Sequence, residues 1–88
     1  MKIVWDEPKR LANLAKHQGL DFATLTDVFF EDALILPGLY NRWRGIGANK
    51  HGVICVVFAR YGQEGVSVIS MRPASPLERR AYAENFKS

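Results

Sequence analysis

Chemistry that needs clustered thiols or imidazoles has little to work with in this chain. Its 88 residues include one cysteine, Cys55, and two histidines, His17 and His51. A single cysteine cannot close an internal disulfide, and no His-x-x-x-His or Cys-x-x-Cys pair offers zinc-ligand spacing. Cys55 lies inside the apolar run 53–58 and is expected to be a buried, inert thiol. No apolar run approaches the roughly 20 residues that span a bilayer. The opening residues lack a signal-peptide pattern, so a cytoplasmic protein without membrane contact is expected. A glycine-rich phosphate loop is missing, because Gly45, Ile46 and Gly47 are followed by neither the further glycine nor the helix that such a loop needs. Nothing local marks a Ser-His-Asp set. Metal and cofactor are both expected to be absent.

What is present is ordinary in bulk and uneven in arrangement. A hydrophobic content of 48% with 24% charged residues suits one domain over residues 1–88 with a modest core. The net charge of +3 is too mild to establish nucleic-acid binding by itself. Asp21, Asp27, Glu31 and Asp32 fall in the first half, whereas Arg60, Arg72, Arg79 and Arg80 fall in the second. The field is therefore asymmetric, with a basic C-terminal half.

Periodicity supplies the elements. Residues 2–5 read as a short strand that meets Asp6, a good helix N-cap, and Leu11, Ala12, Leu14 and Ala15 then recur at helical spacing. Lys9, Arg10, Asn13 and Lys16 occupy the opposite, polar face, and Gly19 closes the helix near His17. A second helix is predicted from Asp21 to Asp32, with Phe22, Leu25, Val28 and Phe29 as its apolar stripe. Strands follow at 33–36 and 40–46, separated by the turn at Pro37 and Gly38. Residues 53–60 are apolar on both faces, which marks a central strand. Residues 66–72 form its hairpin partner. The last helix is predicted over 76–85, with Leu77 and Ala81 on one face and Tyr82 paired with Phe86. The order is β-α-α-β-β-β-β-α. It implies an α+β fold: a small antiparallel sheet with two N-terminal helices on one face and a C-terminal helix that covers the other in part. A partner protein is expected over the apolar surface left open.

Residues 69–82 carry the sharpest local signal. Ser75 and Glu78 have capping-box spacing, and Pro76 sits at the first helical position. This places Arg72, Arg79 and Arg80 near one strand-to-helix corner, where mutually repelling guanidiniums favour an anionic ligand. Cleavage of RNA by its own 2′-hydroxyl needs little machinery beyond such a corner. The nucleophile must be aligned, charge on phosphorus stabilised and protons moved. Arg60, Arg72 and Arg79 are the expected phosphate-stabilising set, with Arg44 and Arg80 binding substrate. His17, Glu31 and Glu78 are the candidate proton carriers, and Trp43 and Tyr82 the candidate stacking rings. Blander roles compete: packing for both aromatics, capping for Glu78, and a dipole contact for His17.

Three blocks of residues carry a family likeness. The first holds Val4, Trp5, Asp6, Lys9, Asn13, Lys16 and His17, then Phe22, Val28, Phe29, Phe30 and Asp32. Arg42, Trp43, Arg44, Ile46 and Gly47 follow, with the strand 53–58 and Arg60 after them. The closing block holds Ile69, Ser70, Arg72, Ala74, Ser75, Glu78, Arg79, Arg80 and Tyr82. In this order they resemble the BrnT-type toxins of bacterial type II toxin–antitoxin systems. The resemblance implies a RelE-like fold and a metal-independent endoribonuclease that inhibits growth. It also implies a cognate BrnA-like antitoxin with a ribbon-helix-helix part, RNA as substrate, and operator DNA bound only through the antitoxin complex. Gln18 separates His17 from Gly19 where the family has Lys-His-Gly, and Met71 and Pro73 replace the family's Ala and Lys. A non-catalytic member that docks its antitoxin and co-represses transcription is the alternative.

Overall fold

A computed structural model describes residues 1–17 and 19–86. The chain runs β1 (Ile3–Trp5), α1 (Glu7–Lys16), a 3-10 turn (Phe22–Thr24), α2 (Asp27–Asp32), β2 (Leu34–Pro37), β3 (Trp43–Asn49), β4 (Gly52–Tyr61), β5 (Gly65–Pro73) and α3 (Pro76–Asn85). The five strands form one sheet in the order β1-β5-β4-β3-β2. The strand that is apolar on both faces, β4, is thus central. The sheet is mixed rather than purely antiparallel, because the edge strand β1 runs parallel to β5.

Alternation along β4 feeds two cores. Ile54, Val56 and Phe58 pack with Leu20, Phe22, Phe30, Val66, Val68 and Met71 on the face covered by the N-terminal elements. Cys55 joins Ile46 and Ala74 on the α3 face, where Val53, Val57 and Tyr82 are only partly buried. Gly47 lets α2 approach closely, since a Cβ there would lie 2.7 Å from the Phe29 ring. Burial pushes the Cys55 thiol up to about 11, as an inert buried cysteine requires.

The predicted helix faces need correction. In α1 the buried side chain is Asn13, from the face expected to be polar, while Leu11 is exposed. Asn13 Nδ2 donates to the Leu20 carbonyl at 3.1 Å, and its Oδ1 accepts from Met71 N–H at 3.1 Å. It thereby satisfies β5 backbone beyond Val68, where pairing with β1 has ended. The second helix is broken: Leu25 and Thr26 are extended, so the turn after Asp21 and the helix from Asp27 are separate pieces. The break resets the helical phase, burying Phe30 and exposing Val28. In α3 the sheet-facing residues are Glu78 and Tyr82, and Leu77 points to solvent.

Two irregularities position the polar residues. The strands β2 and β3 form a direct hairpin whose tip takes up residues 38–42, so β3 starts later than the predicted 40–46. Across β4 and β5 the register shifts: Val57 pairs with Ser70 but Phe58 with Val68, leaving Ile69 extra. That bulge puts Met71 into the same core as Val66 and Val68. Without it, simple alternation would place Arg72 on that buried face; with it, Arg72 lies on the α3 face, opposite Cys55.

Candidate active site

The corner between β5 and α3 is built as its sequence requires. The Ser75 hydroxyl accepts from Glu78 N–H at 3.2 Å, and Glu78 Oε1 accepts from Ser75 N–H at 2.9 Å, completing the capping box. Glu78 does more than cap. It is 4% exposed, and its carboxylate accepts from Arg72 Nη1 at 2.7 Å and Nη2 at 2.9 Å. Arg44 Nη1, arriving from β3, donates to Glu78 Oε2 at 3.0 Å, and Arg44 Nη2 reaches the Pro37 carbonyl at 3.4 Å. One buried carboxylate therefore fixes two guanidiniums from different strands.

Electrostatics follow from these contacts. The bidentate Arg72, the Ser75 N–H and Arg44 hold the Glu78 carboxyl well below the usual carboxylate range. Glu78 raises the Arg72 pKa in turn. Glu78 and Arg72 each hold the other in its charged form near neutrality, so Glu78 is not a proton carrier there. Two cations around one anion leave a net positive charge, and each guanidinium keeps N–H donors to spare. Arg79 Nε donates to the Ala74 carbonyl at 3.2 Å, which keeps Arg79 at this corner, and Arg80 stands exposed beside it on α3.

The rest of the α3 face is open. A recess of about 290 Å³ is lined by Leu39, Tyr40, Arg42, Arg44 and Val57. It adjoins a wider cleft of about 740 Å³, which shares Gly38, Tyr40 and Arg42 with it and extends beyond the α3 face to Trp43 and Arg60. Arg42 and Tyr40, neither among the expected site residues, thus border the clamped Arg44. The signal for Arg42 was present in the triplet Arg42, Trp43, Arg44, since strand alternation puts its two arginines on one side.

Several expected site residues are not brought to this place. Arg60 shares the parity of Phe58 rather than Cys55, and its guanidinium lies 5.9 Å from the Trp43 ring centroid on the opposite face. Along β4 it is five residues from the position paired with Arg72, about 16 Å at strand rise. The set of Arg60, Arg72 and Arg79 therefore does not converge; Arg44 takes the place expected of Arg60. Trp43 packs against the core on that other face. Tyr82 meets the Phe86 ring at 4.8 Å and lines a separate cleft with Asp32 and Asn49. His17 caps the end of α1, and Glu31 is exposed on α2, so both stand on elements that cover the sheet face opposite to Arg72. Gln18 lies outside the described residues.

Comparison with known proteins accords with this architecture. No significant match occurs among curated proteins. The solved structure of the Brucella abortus ribonuclease toxin BrnT superimposes with a TM-score of 0.77 at 51% identity, over 85% of this chain and 97% of that one. The family model described as the ribonuclease toxin BrnT of type II toxin–antitoxin systems matches residues 5–78. The chain belongs to the BrnT family of ribonuclease toxins.

Proposed function

We propose that this chain is a metal-independent endoribonuclease in which Arg44 and Arg72 hold the phosphodiester that the adjacent 2′-hydroxyl attacks. The observation that carries this reading is the pair of guanidiniums fixed on buried Glu78 at the edge of an open, arginine-lined surface. The 2′-oxygen bonds to phosphorus as the bond to the 5′-oxygen breaks, giving a 2′,3′-cyclic phosphate and a 5′-hydroxyl. In this reading the 2′-hydroxyl loses its proton to water and the leaving 5′-oxygen gains one from water, since His17 and Glu31 stand on elements that cover the other face of the sheet. The protein's part is alignment and stabilisation of charge on phosphorus by groups that need no reorganisation.

A type II family member has a cognate antitoxin. In this reading the antitoxin is a ribbon-helix-helix, BrnA-like protein that covers the open half of the α3 face, and operator DNA is bound only by the complex. The chain expressed alone should arrest growth with loss of RNA, and co-expression of the antitoxin should relieve both. Purified protein should cleave single-stranded RNA in the presence of EDTA. Arg72→Ala should slow that cleavage by roughly 10²–10³-fold, as for loss of one preorganised donor. Cleavage that requires an added divalent cation would overturn the metal-independent mechanism. Antitoxin binding without cleavage or growth arrest would favour the co-repressor alternative.

A further inference from the structure

The tip of the hairpin between β2 and β3 holds two features that packing does not explain. Tyr40 and Asn41 both have positive φ, +57° and +61°, and Arg42 N–H donates to the Leu39 carbonyl at 3.1 Å. This is the geometry of a type I′ turn, which favours Asn and Gly at its two central positions. Asn41 suits it; a tyrosine at the first central position is strained, because its Cβ crowds the backbone. Yet the Tyr40 ring recovers nothing from burial, being 87% exposed. Strain kept at an exposed aromatic points to use of that side chain in binding.

The surroundings indicate for what. Tyr40 lines both the recess holding Arg42 and Arg44 and the wider cleft that reaches Arg60. An exposed ring between cations suits a single-stranded nucleic acid, whose bases present stackable faces and whose phosphates follow at each step. We infer that the hairpin tip is a nucleotide subsite beside the scissile phosphate: Tyr40 stacks on an unpaired base, and Arg42 and Arg60 take the flanking phosphates. This rests on the proposed RNA-cleaving reading and adds the preference for unpaired RNA. It also gives the exposed end of β4 a role, since Arg60 is too far from Arg72 to share its phosphate.

The test measures binding rather than cleavage, so that it stands apart from the catalytic reading. A fluorescent 2′-O-methyl single-stranded RNA oligomer, which cannot attack itself, is titrated against wild type, Tyr40→Phe, Tyr40→Asn and Arg42→Ala. Tyr40→Asn should weaken binding roughly tenfold, the scale of one lost base–aromatic stack. Its melting temperature should equal or exceed that of wild type, because Asn accepts the turn geometry. Tyr40→Phe should bind within about twofold of wild type. Arg42→Ala should weaken binding and flatten its salt dependence. Unchanged RNA affinity in folded Tyr40→Asn would overturn the subsite. Unchanged RNA affinity combined with lost antitoxin binding would do so too, and would identify the tip as a protein-docking element. Failure of Arg72→Ala to reduce cleavage would instead strike the catalytic reading and leave this binding result standing.

Discussion

The two faces of the sheet are built from the same central strand and serve different ends. The face under α1 and α2 is closed by rings: Phe30 meets Phe29 edge-on at 5.4 Å and Phe58 at 5.3 Å, while Phe22 is fully buried. The α3 face has a smaller core, and its ordering comes from a carboxylate clamped between two arginines. Apolar burial makes a face stable and leaves nothing to react with. A buried ion pair adds little net stability, but it holds charged groups in fixed positions beside solvent. The difference assigns stability to one side and, in the proposed reading, chemistry to the other.

The largest effect expected from breaking this division is on the closed face. Phe22→Ala should cost about 3–5 kcal/mol in denaturant unfolding, since its neighbours cannot collapse into the space. It should leave the RNA-cleaving competence of the folded fraction intact. Next comes Asn13→Ala, which removes one partner from the Leu20 carbonyl and the Met71 N–H; about 1–3 kcal/mol is expected. On the open face the order of losses should invert. Glu78→Gln keeps a capping-box residue and the side-chain shape but removes the charge that orients Arg44 and Arg72. Cleavage should fall at least about tenfold, while the stability loss should stay below the ~3–5 kcal/mol of a fully buried broken pair, because both arginines are partly exposed.

The smallest expected effect is in pH dependence. The folded Glu78 pKa is depressed, so its contribution is present above the ordinary carboxylate range and is lost as pH falls through and below it. The gap in melting temperature between wild type and Glu78→Gln should therefore shrink on acidification. A gap that widens in acid would contradict the sign of the shift. Glu7, lowered to about 2 chiefly by its hydrogen bond from Arg10, behaves in the same sense at the surface.

Much of this arrangement was legible beforehand. Two apolar faces announced β4, and the capping box with its proline set the bounds of α3 at Pro76–Asn85. The helix faces were not legible, because hydropathy cannot see a hydrogen-bond partner supplied by a distant strand. Asn13 and Glu78 are buried for their partners, Met71 and the two arginines. The failure at Arg60 has a different origin. Counting arginines along the second half ignored the alternation that sends residue 60 one way and residue 55 the other. The bulge at Ile69 could have been read from the spacing of Val66, Val68 and Met71, where alternation slips by one. The strained tyrosine at the hairpin tip needed backbone angles.

Dimethyl phosphate, the minimal phosphodiester, can be titrated into ¹⁵N-labelled protein while the arginine Nε–H resonances are followed by NMR. Saturable shifts centred on Arg44 and Arg72, absent in Glu78→Gln, are the predicted result. Shifts centred on Arg60 instead, or none at the two clamped guanidiniums, would contradict the placement of the reacting phosphate.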